Sequence, residues 1–117
     1  MQERKQMILD TLKGIDGVWV DSFEGLLADY MQDKGIRCCV RGIRNERDYA
    51  YELANHRLSQ TFYPQLQTVF LPCQAQWECV SSGAVKTACA CGKLPTEWVP
   101  DAVLKNLLKK FPHTQFI

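Results

Sequence analysis

The sequence has no uninterrupted apolar run of about 18 residues, the length that a membrane-spanning helix needs. Its first residues, MQERKQMILD, lack an apolar central region, so we expect no secretory signal peptide. The formal net charge is only +1, which excludes a broad electrostatic surface for nucleic acid but allows local basic clusters. These absences predict a protein with neither a membrane nor a nucleic-acid partner.

The spacing of a metal-ligand motif is also missing. No Cys-x-x-Cys pair occurs, and neither His56 nor His113 has a ligand-like neighbour. Cys38 and Cys39 are adjacent in a predicted strand, so they point to opposite faces. We therefore predict no metal site and interpret the cysteines as small buried residues in a reducing cytosol. The six are Cys38, Cys39, Cys73, Cys79, Cys89 and Cys91.

What is present is an ordinary apolar content of 46% over 117 residues, enough for one domain spanning 1–117. Helical and strand patterns alternate, which indicates a layered α/β fold with a parallel sheet and right-handed crossovers. Strands are predicted at 17–21, 36–40 and 68–72, and the latter two are continuous apolar runs typical of buried parallel strands. Three strands are few for a doubly wound sheet.

Helix boundaries are indicated by caps and glycines. A first helix is predicted over 2–13, and a second begins after Ser22 with an amphipathic face. Asn45 is predicted to cap a helix to about Gln60. Ser81 or Ser82 caps a fourth helix, and Pro100 suits the first turn of a last one. Gly14, Gly35 and Gly92 are predicted stops; Val103, Leu104, Leu107, Leu108 and Phe111 are predicted to face inward from the last helix.

An arginine-rich turn, RGIR at 41–44, is predicted directly after the second strand. Ligands of open α/β sheets bind beyond the carboxyl ends of the strands. Arg41 and Arg44 can each bind phosphate oxygens through paired N–H groups, and Gly42 allows a close backbone approach or a positive φ. The N-terminus of the following helix also favours an anion.

The alternative for this turn is a solvated surface. In that case Asp48 and Glu52 would pair with Arg44 and Arg47 along the exposed side of the helix. The residues by themselves leave both interpretations open.

A second candidate anion site is WECVSSGAVK at 77–86, in which serines and a glycine open a helix. Such a start exposes backbone N–H groups, and hydroxyls can bind phosphate, although an ordinary N-cap is the alternative. Trp77 either covers a base or closes the core. Because both candidate loops follow strands of one parallel sheet, we expect the arginine pair 41/44 and the serine pair 81/82 to face a common crevice.

The residues of these segments and their order along the chain resemble those of bacterial phosphopantetheine adenylyltransferases. The resemblance runs from about Glu3 to Leu108 and covers the C-terminal two thirds of the family's domain. Its most specific parts are the RG-hydrophobic-R turn followed by D-aromatic-x-Y-E, and the distance from that turn to the Ser-Ser helix start. The matching segments are SFEGLL (22–27), VRGIRNERDYAYE (40–52), TVFLP (68–72), WECVSSGAVK (77–86) and VPDAVLKNLL (99–108).

The resemblance implies a truncated Rossmann-like, adenine nucleotide alpha hydrolase-like fold with three strands remaining. It implies a nucleotidyltransferase that moves the adenylyl group of ATP to 4′-phosphopantetheine, giving dephospho-CoA and pyrophosphate in coenzyme A biosynthesis. It further implies Mg²⁺ as a cofactor and a homo-hexamer in the cytoplasm. The arginines would then neutralise two phosphorylated substrates.

Site residues are carried over position by position from the resemblance. Leu27 and Arg41 match positions that hold phosphopantetheine, while Arg44 and Ser82 would support catalysis. No residue matches a metal ligand, and Arg47 matches no site. The positions that match ATP contacts are Gly42, Ile43, Arg44, Glu52, Trp77, Glu78, Cys79, Val80, Ser81, Ser82 and Gly83.

The sequence departs from the family in lacking the N-terminal third with its His-x-Gly-His signature, a threonine of the nucleotide site and a lysine for the substrate phosphate. Gly83 replaces a third serine, and Ser59 replaces a usual asparagine. Three interpretations stay open: a fragment or late-started gene of an adenylyltransferase, a non-catalytic nucleotide- or CoA-binding or assembly protein, and a fold remnant that binds nothing. We expect that the 117-residue chain alone does not catalyse the reaction.

Overall fold

In the computed structural model, which describes residues 2–116, the chain divides into two units. The first combines residues 2–22 with 80–116, and the second is Phe23–Cys79. Each unit contains helices together with a pair of parallel strands. The chain is therefore a mixed α/β protein whose strands are parallel, as the alternating sequence pattern predicts, with a two-stranded main sheet instead of a three-stranded one.

The second unit is built on two parallel strands joined by one long helix. Strand β1 (Cys38–Ile43) pairs with β2 (Gln67–Pro72) along its whole length. The crossover between the strands is helix α3 (Glu46–Phe62), and helix α2 (Leu27–Asp33) precedes β1. Helix α1 (Gln2–Thr11) belongs to the first unit. This β-α-β arrangement is the one that parallel pairing requires, because a short turn cannot connect parallel strands.

Helices α2 and α3 cover one face of this sheet. The buried cluster consists of Ala28 and Met31 from α2 with Tyr63 and Leu66 from the end of α3 and the connection to β2. Leu66 is only 1% exposed, and Cys39 packs against the cluster from β1. The apolar face predicted for α2 is confirmed at Met31, with Leu27 and Tyr30 partly buried beside it, but Phe23 and Leu26 are exposed and lie before the helix.

The opposite face of the sheet is exposed in the described part of the chain, residues 2–116. Val40 is 59% exposed and Leu71 is 55% exposed, whereas Cys39, Arg41 and Phe70 beside them in the strands are half-buried. The prediction that both strands are buried on both sides is therefore wrong. A continuous apolar run shows that a strand can be buried on both faces, but the packing of other elements decides whether it is.

The first unit packs helices around a very short strand pair. Leu94 is completely buried in a cluster with Val85, Cys89 and Leu107. Leu108, predicted to face inward, is 44% exposed because it lies beside the buried stripe. The elements are α1, α4 (Ser82–Ala90), β3 (Lys93–Leu94), α5 (Asp101–Lys110) and β4 (Gln115–Phe116), with α1 packed against α5.

Local signals at helix ends match the structure closely. The Asn45 side chain caps α3 by accepting the N–H of Asp48, and Gly35, at φ 68°, ends α2. The N–H of Gly35 donates to Gln32, and that of Ile36 donates to Met31 over 2.8 Å, which is a Schellman closure. These predictions are confirmed because each depends on neighbours within one turn of helix.

Two predictions before α2 are wrong. No strand forms at 17–21, and Trp19 in that segment is 88% exposed. The run has β propensity, but no described strand pairs with it, and a strand needs a partner for its backbone hydrogen bonds. Ser22 caps no helix, because α2 begins at Leu27, beyond a bend at Gly25 with φ 94°.

The cysteines are free, and most of them are not buried. Cys89 is buried, whereas Cys38, Cys79 and Cys91 are exposed. The interpretation of all six as core residues is therefore wrong for these three. Among residues 2–116, no helix is both long and apolar enough to cross a bilayer.

Candidate functional site

Arg44, at the carboxyl end of β1, is held by Asp48 in the first turn of α3. Arg44 Nε lies 2.7 Å from Asp48 Oδ2, and Nη2 lies 3.0 Å from Oδ1. The backbone N–H of Arg44 also donates to Oδ2 over 3.0 Å. The contact between the two side chains is thus bidentate, and it fixes the plane of the guanidinium.

This pair shifts both ionisations towards the charged forms. Hydrogen bonds from the Arg44 side chain and backbone hold the pKa of Asp48 below its ordinary value of 3.8. The carboxylate in turn raises the pKa of Arg44. Both groups are therefore charged over the whole physiological pH range.

Arg41 forms a second ion pair, with Glu52 one helical turn further along α3. Arg41 Nε lies 3.2 Å from Glu52 Oε2. The solvated-turn interpretation is correct in pairing Asp48 with Arg44 but wrong in pairing Glu52 with Arg47, which is exposed. A strand residue that faces the helix reaches Glu52, whereas Arg47 lies on the outer side of α3.

The arginine segment is a strand end instead of a turn. Arg41, Gly42 and Ile43 belong to β1, and Gly42 does not have a positive φ. The alternation of a strand turns Arg41 and Ile43 towards α3 and leaves Gly42 on the exposed face. The prediction of a glycine turn at 42 is wrong, and only Arg44 lies beyond the strand.

A small cleft in the second unit contains Arg41, Glu52 and Leu27 together. Its volume is about 20 Å³, which is room for one water molecule. The structure therefore brings the two predicted phosphopantetheine residues, Leu27 and Arg41, into one site. The remaining lining residues are Cys39, Asn55, His56, Ser59, Leu66 and Thr68.

Three cleft residues, Asn55, His56 and Thr68, are absent from the sequence-based list of site residues. His56 Nδ1 lies 2.7 Å from Thr68 Oγ1, which connects α3 to β2 across the cleft. The available signal is the helical spacing from Glu52, because positions 55, 56 and 59 lie one and two turns further along the same face.

Ser81 and Ser82 lie at the start of α4 in the first unit. Ser81 is the N-cap: its Oγ accepts the N–H of Ala84 over 3.0 Å, as predicted. Ser82 is the first helical residue and is exposed, and Gly83 follows it. Both serines line a groove of about 770 Å³ with Val85 and Lys86 among its other residues.

The remaining predicted ATP residues divide between the two units. Trp77 ends a single turn of 3₁₀ helix in the second unit and is half-buried, and Glu78 and Cys79 are exposed. Val80 belongs to the first unit and packs against its core. A crevice shared by the pair 41/44 and the pair 81/82 stays a prediction.

Comparison with known proteins identifies relatives that span almost the whole chain. A phosphopantetheine adenylyltransferase of Thermotoga neapolitana is 37% identical over 110 residues, which are 94% of this chain and 68% of the relative. The corresponding protein of Leptospira biflexa is 36% identical, with 94% and 69% covered. That of Heliobacterium modesticaldum is 33% identical over 114 residues, with 97% and 68% covered.

The chain spans about two thirds of the length of these relatives. No family model matches it. The high coverage of this chain means that the shared segment includes the β1-α3-β2 unit and the start of α4 together. On these identities and this coverage, the chain belongs to the phosphopantetheine adenylyltransferase family, whose members are nucleotidyltransferases.

Proposed function

We propose that this chain binds ATP and 4′-phosphopantetheine for adenylyl transfer in coenzyme A biosynthesis. The products of that reaction are dephospho-CoA and pyrophosphate. The observation that carries the proposal is the joint placement of Leu27 and Arg41 in one cleft, because these are the two positions assigned to phosphopantetheine. Family membership supports the reaction class.

In the proposed site, Arg41 binds the phosphate of phosphopantetheine and Arg44 binds ATP phosphates. Gly42, Ile43 and Glu52 lie beside them. The resemblance also assigns ATP contacts to Ser81, Ser82 and the rest of the segment 77–83. Because the cleft has a volume of only about 20 Å³, the pantetheine arm requires the side chains around His56 to move apart.

The reaction needs no protein nucleophile. A phosphate oxygen of phosphopantetheine attacks the α-phosphorus of ATP in line, a new P–O bond forms, and the bond to the β-phosphate oxygen breaks. Pyrophosphate leaves with the electron pair of that bond. Catalysis then consists of positioning the two phosphates and stabilising the charge that develops, a role that Arg44 and Ser82 support.

The described residues do not form a magnesium cage. No group of three histidine, cysteine, aspartate or glutamate side chains within residues 2–116 could hold a metal ion. The carboxylates nearest the arginines, Asp48 and Glu52, are already paired with Arg44 and Arg41. Magnesium therefore enters the proposal only as the ion that accompanies the ATP substrate, as is common for phosphate sites.

We further propose that the 117-residue chain alone does not complete the reaction, since the sequence contains no His-x-Gly-His motif. We keep as a second candidate a non-catalytic nucleotide- or CoA-binding or assembly protein of the same family. Under the first candidate we place the protein in the cytoplasm as a homo-hexamer.

An assay of pyrophosphate release, with ATP and phosphopantetheine, tests the claim of inactivity: measurable turnover by the purified chain contradicts it. Calorimetric titration with coenzyme A and with ATP tests binding, and a chain that binds neither contradicts the first candidate and the nucleotide- or CoA-binding form of the second. The DNA upstream of Met1 separates them, because an in-frame His-x-Gly-His supports the enzyme and a stop codon supports the binding protein. Intact mass and sedimentation then report the assembly.

A further inference from the structure

Asp48 makes three hydrogen bonds to a single residue, Arg44. Oδ2 accepts from the backbone N–H over 3.0 Å and from Nε over 2.7 Å, and Oδ1 accepts from Nη2 over 3.0 Å. The backbone bond fixes the root of the arginine, and the two guanidinium bonds fix its tip. One carboxylate therefore determines where the whole Arg44 side chain points.

The carboxylate that does this is itself held in place. The N–H of Asp48 donates to Asn45 Oδ1 over 2.9 Å in the cap of α3. A negative charge in the first turn of a helix is favoured by the helix dipole. Asp48 is therefore attached to the rigid start of α3, and Arg44 takes its orientation from that helix.

The same helix contacts the other arginine of the site. Glu52 lies four residues after Asp48 on α3 and pairs with Arg41. One face of α3 thus contacts both arginines that the proposed function assigns to phosphates. Partly exposed ion pairs of this kind contribute little net stability, so their effect on orientation is the more important one.

We propose that Asp48 is a positioning residue that orients Arg44 for the triphosphate before ATP binds. This inference rests on the proposed function. A long side chain that is ordered only on binding reduces the affinity, and a side chain ordered in advance does not. The bidentate contact with Asp48 uses Nε–H and one N–H of Nη2, two of the five donors that a guanidinium has.

The test compares the binding of ATP with that of adenosine by calorimetry, using the full chain. Asp48→Asn keeps the shape of the side chain but removes its charge, and we expect it to weaken ATP binding about five-fold. Adenosine binding should not change, since adenosine has no phosphate. Glu46→Gln, which removes an exposed charge from the same helical turn, should leave both affinities unchanged.

A spectroscopic measurement separates positioning from a general loss of structure. In the ¹H–¹⁵N spectrum, the Arg44 Nε–H signal should be protected from exchange in the parent chain and in Glu46→Gln, and should lose this protection in Asp48→Asn. Circular dichroism should show the same helix content in all three. If Asp48→Asn unfolds, the adenosine affinity changes as well. In that case the inference is wrong.

Arg44→Gln distinguishes this inference from the proposed function. If Arg44→Gln weakens ATP binding and Asp48→Asn does not, Asp48 has no positioning role and the function stands. Tighter ATP binding by Asp48→Asn also overturns the inference, because Asp48 would then compete with the phosphates. If the parent chain binds no ATP, or Arg44→Gln binds it normally, both the inference and the assignment of Arg44 are wrong.

Discussion

His56 Nδ1 lies 2.7 Å from Thr68 Oγ1, so a helix residue and a strand residue meet in the lining of the cleft that contains Arg41. Neither residue is fully buried. The contact ties α3 to β2 at the same place where the proposed substrate binds. Stability and ligand binding therefore meet in this cleft, and variants can separate the two.

Removing the Thr68 hydroxyl should cost stability. Thr68→Val keeps the shape of the side chain and leaves His56 without its partner, so we expect a loss of about 1 kcal/mol in the free energy of unfolding. Urea denaturation monitored by circular dichroism measures it. Thr87→Val, the same change at an exposed position on α4, provides the control. Equal unfolding midpoints for the two variants would show that the contact with His56 contributes nothing.

Removing the Arg41 guanidinium should weaken binding of coenzyme A. Arg41→Gln removes the charged donor that we assign to the substrate phosphate. A hydrogen bond to a charged group contributes about 1.5–3 kcal/mol, which is at least about ten-fold in affinity. Calorimetric titration with coenzyme A gives the ratio. Arg47→Gln changes an exposed arginine on α3 and should bind coenzyme A normally. A loss of affinity in both variants would indicate non-specific attraction instead of a site.

Acid should remove the contribution of the Arg44–Asp48 pair. The pKa of Asp48 is lower in the folded chain than its ordinary value of 3.8, because Arg44 binds the ionised carboxylate. Its contribution to stability is therefore present above the unfolded pKa and is lost as pH falls through the folded pKa. We expect the midpoint temperature of thermal unfolding to decrease as the pH is lowered from about 5.

Asp48→Asn should show a flatter pH profile than the parent chain over the same acid range. Glu46→Gln should follow the parent profile, since Glu46 is exposed in the same turn of α3. Differential scanning fluorimetry between about pH 7 and pH 3 measures the profiles. An identical slope for Asp48→Asn and the parent would mean that the pair is not the source of the acid dependence.

The two serines of α4 should behave differently. Ser81 accepts the N–H of Ala84, so Ser81→Ala should destabilise the chain by about 1 kcal/mol through loss of the cap. Ser82 is exposed at the first helical position, and Ser82→Ala should change stability by less than about 0.5 kcal/mol while weakening ATP binding. Urea denaturation and ATP titration of both variants check this. A stability loss for Ser82→Ala as large as for Ser81→Ala would contradict the assignment of the cap.

Much of the local structure is predictable from the sequence. The Asn45 cap and the Gly35 stop depend on atoms within one turn of a helix, and the structure confirms them. The prediction of a strand at 17–21 fails for the opposite reason. Its residues favour a strand, but strand formation depends on a partner elsewhere in the chain. The same limit applies to Val40, whose apolar character does not reveal that its face of the sheet is exposed.

The sequence by itself determined the family, the alternation of helices and strands, the helix caps, and the presence of paired arginines before a helix with carboxylates. The tertiary structure alone decided that Glu52 pairs with Arg41, that His56 lines the cleft, and that one face of the sheet is uncovered. The physical reason is the distance along the chain over which each feature is determined. Caps and periodicity are set by covalent neighbours, whereas ion-pair partners, cleft walls and buried faces depend on which elements pack together.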